Sequence, residues 1–157
     1  MSENLKAHVR ALLTERQAHL QLGDVLEGFP VEQINEDVGL PYTAWGLLWH
    51  VWFTQRDILN FVGDTGYTEL EWPTDYWPKS PGTPESWAQT AQGIQDDLAA
   101  FLELFERADP LAVVPNGDGP DGGQQTWLRE ALLIADHTAY HLGQLVVVRR
   151  LLDASSA

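Results

Sequence analysis

His137 and His141 stand four residues apart in Asp136-His137-Thr138-Ala139-Tyr140-His141-Leu142-Gly143-Gln144, inside a long apolar stretch that reads as a helix. On a helix, residues i and i+4 share a face with Cβ atoms about 5–6 Å apart. Two imidazoles at that spacing can point at one divalent cation. His50 sits in a second apolar, helix-patterned run, Leu47-Leu48-Trp49-His50-Val51-Trp52-Phe53. Two ligands from one helix and one from a facing helix make an open three-histidine site. Such a site keeps positions for water or substrate, as a catalytic metal needs and a closed structural site does not. The chemistry it offers is a lowered pKa for a water or thiol.

Each histidine alone has a plainer reading as a hydrogen-bonded core residue; the pair on one inward face is what points to a metal. His50 lies on the flank of its stripe, so His50→Ala is expected to leave the helical content nearly intact. His8 and His19, three turns apart on one expected helix, are separated by about 16 Å along the axis and read as surface or boundary residues. Arg16 falls inside the apolar stripe of that same helix and should reach for solvent or an acid. Tyr140 points away from the histidine pair and receives no acid–base role, so no catalytic side chain is assigned. The chain has no cysteine, which excludes disulfides, thiolate ligands and a cysteine nucleophile. It also lacks a glycine-rich phosphate loop, an H-E-x-x-H motif and a serine beside a histidine in a nucleophile elbow.

Four helical segments must position these residues, in one domain over 1–157. The first spans about 2–22, with Ser2 as N-cap and Leu5, Val9, Leu12, Leu13 and Leu20 on one side. The second spans about 41–62. The third, about 84–107, opens on Thr83-Pro84-Glu85, a cap, a proline at the first helical position and an early acid. The fourth spans about 126–152, and Arg149 and Arg150 near its end suit the helix dipole. No strand pattern competes, and Asp153 to Ala157 are expected to fray. The connections are long, above all the aromatic one holding Trp72, Tyr76 and Trp77, and long connections allow neighbours that are not sequential.

The formal charge of −14 makes nucleic acid and anionic membranes poor partners. The first twenty residues carry no signal-peptide core, and no apolar run is read as approaching a membrane span, so a cytoplasmic protein is expected. Seven tryptophans suggest apolar surface that one small bundle leaves over, hence a homodimer.

A histidine in the second helix, then His-x-x-x-His followed by Gly-Gln in the fourth, resembles the DinB-like superfamily of metalloenzymes. Two strings carry the resemblance: Ala44-Trp45-x-Leu47-Leu48-x-His50, and Asp136 through Leu145. It implies an all-α four-helix bundle with a long crossover in up-down-down-up order, often homodimeric. It implies a Zn or Ni ion on His50, His137 and His141. Relatives include transferases and isomerases that use a low-molecular-weight thiol such as bacillithiol, mycothiol or glutathione. The expected function is therefore metal-dependent thiol S-transfer, or related chemistry, on a small-molecule substrate. An anionic thiol would need local cations, for which Arg56 and Arg149 are the candidates, while Trp72, Tyr76 and Trp77 could wall an apolar pocket over the ion. Two readings compete: a non-catalytic metal- or small-molecule-binding bundle, and a purely structural helical domain.

Overall fold

In the computed structural model the described residues are 2–63, 66–119 and 123–155. They form helices α1 (Ser2–Thr14), α2 (Leu22–Leu26), α3 (Ala44–Gly63), α4 (Pro84–Arg107) and α5 (Trp127–Ser155), a short 3-10 turn at Val31–Gln33, and strands β1 (Val113–Asp118) and β2 (Gln124–Thr126). The chain is thus mainly helical, as expected. The capping signal before α4 works as read: Thr83 Oγ1 accepts from Ser86 N at 3.1 Å, and Ser86 Oγ accepts from Thr83 N at 2.8 Å. Thr43 Oγ1 takes the amide of Gly46 at 3.1 Å, which starts α3 a little later than the periodicity placed it.

The expected helix over 2–22 ends at Thr14, and a separate short helix, α2, begins only at Leu22. The apolar repeat lapses after Leu13, and two glutamine amides take over the ends of α1: Gln17 Nε2 donates to the Ala11 carbonyl at 3.1 Å and Gln21 Nε2 to that of Thr14 at 2.7 Å. Satisfying terminal carbonyls in this way ends a helix. Arg16 consequently lies outside any helix; it is exposed, and so are His8 and Leu12 on α1 and His19 and Leu20 beyond it. The side chain of Ser2, read as a cap, lies outside the described residues.

A second correction concerns 110–125, read as loop. β1 and β2 pair antiparallel there, with an irregular register between Val113 and Asp118. Three residues of β2 and a β1 interrupted by Pro115 and Gly117 are too little for a period-2 signal. Gly117 is obligatory, since a Cβ on it would sit 2.4 Å from the Gln125 carbonyl oxygen. At the other end α5 runs on to Ser155 instead of fraying at Asp153, with Leu152 buried; residues 156 and 157 lie outside the described residues.

Contacts between helices fix their directions. Gln55 reaches the Ile94 carbonyl and Arg56 reaches Asp97, so positions rise together and α3 and α4 run the same way. His50 meets His137 and His141 while Ile58 packs with Ala131 and Ile134, so α3 and α5 run oppositely. Two parallel neighbours need a return segment as long as a 20-residue helix, about 30 Å, which explains the long aromatic connection. The core divides into two apolar clusters. One is built on Phe29, Trp45, Leu48, Trp87 and Leu145, the other on Val9, Ile58, Phe101, Phe105 and Ile134.

α5 is longer and more apolar than the sequence reading allowed: by length and composition alone it could cross a membrane, with mean hydropathy 1.2 over its best window. Its inner face is instead packed in the bundle, against α1, α2 and α3. Its outer face carries Leu132, Tyr140, Val147 and Leu151, all exposed.

Candidate metal centre

Antiparallel packing of α3 on α5 brings together the three histidines that the spacing singled out. One nitrogen from each of His50, His137 and His141 lies within 4.8 Å of the others. His50 is 1 % exposed and His141 9 %, and His137 is half-buried. The deep burial of His50 corrects its expected place at the edge of a stripe. Its ring stacks on Trp77 at 4.2 Å between centroids, 5° from coplanar.

Two hydrogen bonds decide which nitrogens are free. His50 Nδ1 donates to the Tyr76 carbonyl at 2.7 Å. His141 Nδ1 donates to Gln144 Oε1 at 2.6 Å. Each bond consumes Nδ1 and fixes the tautomer, so the lone pair of the neutral ring sits on Nε2; orienting partners of this kind are what histidine ligands ordinarily have. The Nε2 atoms of His50 and His137 face each other at 3.0 Å. Two acceptor nitrogens that close need a proton on one or a cation between them. Around a tetrahedral ion with ligand nitrogens at 2.0–2.1 Å, two such nitrogens would lie about 3.3 Å apart. The donor set therefore fits a divalent ion: three neutral imidazoles, with no fourth histidine or carboxylate joining them among the described residues.

Electrostatics keep these rings in the ligand form. Burial pushes the His137 imidazole down to about 3, and His141 and His50 add repulsion against a proton there. Burial also lowers His50, against the Tyr76 carbonyl, which raises it, and lowers His141, against the Gln144 amide. All three are neutral near pH 7, as metal binding requires.

The two arginines expected to serve an anionic thiol are engaged elsewhere. Arg56 makes a two-point ion pair with buried Asp97, Nε–Oδ2 2.7 Å and Nη2–Oδ1 2.6 Å, on the α4 side of α3. Arg149 Nη1 donates to the Val25 carbonyl at 2.7 Å, and its guanidinium lies over Phe29. The aromatic connection does gather at the site. Trp77 covers His50, and the exposed ring of Trp72 lies 6.1 Å from that of His50 and 5.2 Å from that of Tyr76. Tyr140, 65 % exposed, only borders His141 edge-on. Sequence reasoning named Gln144 only within the motif and Tyr76 only as a pocket wall, and missed that they orient the His141 and His50 rings. Gln144 was within reach of a spacing argument, since i and i+3 share a helix face; Tyr76 acts through its backbone carbonyl, which every residue type has.

Comparison with known proteins gives one result. The sequence profile of the DinB superfamily matches residues 8–145. No curated protein and no solved structure matches the chain.

Proposed function

This chain belongs to the DinB superfamily, and on that premise we propose that it is a metal-dependent enzyme holding Zn or Ni on His50, His137 and His141 and transferring a low-molecular-weight thiol to an electrophilic small molecule. The observation that carries the reading is the convergence of ring nitrogens, with Nδ1 of two rings already committed and two Nε2 atoms 3.0 Å apart. A divalent ion there would lower the pKa of a thiol or water and so supply a nucleophile at neutral pH. In the transfer, sulfur bonds to the electrophilic carbon, the leaving group departs with its electron pair, and the thiol proton passes to solvent.

The chain's own residues bind and orient. The Tyr76 carbonyl and the Gln144 amide hold two rings in their ligand tautomer, and Trp77 shields the face of His50 from water. Trp72, exposed beside His50, offers an apolar wall to an incoming substrate. With −14 formal charge, nucleic acid and anionic membrane are excluded as partners in this reading, and a cytoplasmic homodimer is the working form. The test begins with metal analysis of protein purified without a histidine tag. Zn- or Ni-loaded protein is then assayed with glutathione, bacillithiol and mycothiol against a panel of electrophiles. Turnover lost on His137→Ala supports the proposal. Background rates throughout, with stoichiometric metal, would leave a non-catalytic ion-binding bundle.

A further inference from the structure

The gap between α4 and α5 is roofed over only part of its length. α1 packs on both helices, starting beside the end of α4, where Lys6 Nζ donates to the Glu106 carbonyl at 2.6 Å. Its 13 residues span about 20 Å, and the 24 of α4 about 36 Å. Beyond Thr14 the chain is not helical again until α2, which lies on α5. What α1 leaves uncovered is a cavity of about 820 Å³, a size that takes a small organic molecule. None of His50, His137 and His141 lines it, so its occupancy does not require a metal.

The cavity falls on the seam between the two core clusters. Leu22, Ile94 and Leu142 face it from the first, and Leu13, Leu98 and Ile134 from the second. One polar group interrupts these apolar walls. Gln55, reaching in from α3, is 3 % exposed and belongs to the same lining. Its Nε2 donates to the Ile94 carbonyl at 2.6 Å. A carbonyl only accepts, so the amide cannot be turned round, and Oε1 points elsewhere with both lone pairs. Among the described residues nothing donates to that oxygen. A donor arriving with an occupant would complete the amide, and an acceptor in apolar surroundings gains by it. Charge in the lining is confined to exposed side chains: Glu15 and Asp136, with His19, and no Lys or Arg among the described residues. Two carboxylates without a cation repel an anionic headgroup.

We propose that this cavity binds an uncharged amphiphile, an apolar chain bearing one hydroxyl or N–H group, with the chain along the seam between the core clusters and its polar hydrogen donated to Gln55 Oε1. The site is distinct from the histidine centre and stands or falls apart from the enzymatic reading.

The probes are 1-octanol and octanoate, which share a chain and differ in headgroup charge. Each is titrated into the full chain at neutral pH and followed by amide chemical shifts. Octanol should bind at least about tenfold more tightly, because octanoate must bring an unpaired charge past two carboxylates. The shifts should centre on Gln55, Leu98 and Ile134. Gln55→Leu removes the acceptor and should weaken octanol about three- to tenfold. Ala135→Phe, on the cavity wall of α5, puts a ring into the space. It should abolish saturable octanol shifts without lowering the urea midpoint, since the ring fills a void instead of displacing a neighbour. Equal affinity for the two probes, no saturable octanol shifts in the parent, octanol binding unchanged in both variants, or a midpoint lowered by Ala135→Phe overturns the proposal. A parent that binds neither probe but forms a dimer disrupted by Ala135→Phe would also overturn it, and would give the cavity to a second copy of the chain.

Discussion

Thermal stability should rise on metal binding, and the rise should depend on His141. An ion that binds the folded chain alone stabilises it by about 2.7 kcal/mol at a free concentration one hundred times Kd. For a domain of this size each kcal/mol moves Tm by about 2–4 °C, so the expected rise is roughly 5–11 °C. The structure argues that little of the gain is lost to rearrangement. The Nε2 atoms of His50 and His137 need to part by only a few tenths of an ångström from their 3.0 Å separation to meet a tetrahedral edge of about 3.3 Å. Two of the three tautomers are already set by Tyr76 and Gln144. His141→Ala removes one donor of three and opens the Gln144 amide to solvent, so the variant should gain less than about 2 °C over its own metal-free baseline. Calorimetric scans of untagged protein, with and without Zn or Ni, read this directly. The comparison matters because a chain with 23 acidic residues collects cations loosely at its surface. The same rise in variant and parent would show that the ion sits elsewhere and would falsify the three-histidine centre. No rise in the parent at saturating Zn and Ni would do the same.

Other outcomes follow from the same geometry. His50→Ala should cost about 2–4 kcal/mol in urea unfolding, because it empties a packed position against Trp77 and leaves the Tyr76 carbonyl without its donor; an unchanged midpoint would contradict the burial described. Metal-free protein should lose stability as pH falls from about 6.5 toward about 3, since the depressed His137 must stay neutral in the fold while the unfolded chain takes up the proton; urea midpoints that are flat between pH 7 and pH 5 would count against this. Sedimentation at micromolar concentration should show a dimer, through the outward row Leu132, Tyr140, Val147 and Leu151, and Val147→Glu should return it to monomer.

Much of the bundle was legible because its helices bury stripes. The Thr83-Pro84 signal gave α4 to the residue, and His137 and His141 were conspicuous because helical spacing alone makes them neighbours. Four things were not legible, two for local reasons and two because the partners lie far apart in the chain. The break after Thr14 depends on the side-chain amides of Gln17 and Gln21 turning back onto backbone carbonyls, and glutamine is equally at home inside a helix. The hairpin around Gly117 is too short and irregular to alternate. The fates of Arg56 and Arg149 were set by partners far along the chain, Asp97 and the end of α2, which no window of sequence contains. The meeting of Asp57 with Tyr67 and Tyr76 was hidden for the same reason, because these residues come together only once the crossover has folded back on α3.

The crossover is fastened to α3 at three heights: the Trp45 indole to the Ser80 carbonyl, His50 to the Tyr76 carbonyl, and Asp57 to the hydroxyls of Tyr67 and Tyr76. Among the described residues, no hydrogen bond ties 68–71 to that helix. Tolerance to inserted or deleted residues is therefore concentrated in a window of four positions. Lengthening the chain there costs only loop-closure entropy, which grows slowly with length. A single residue added between 76 and 80 would throw one fastening out of register with the next and rotate the His50 ring away from its partners. The crossover behaves less as a connection than as a ruler laid along α3, graduated where the chemistry is and blank where it is not.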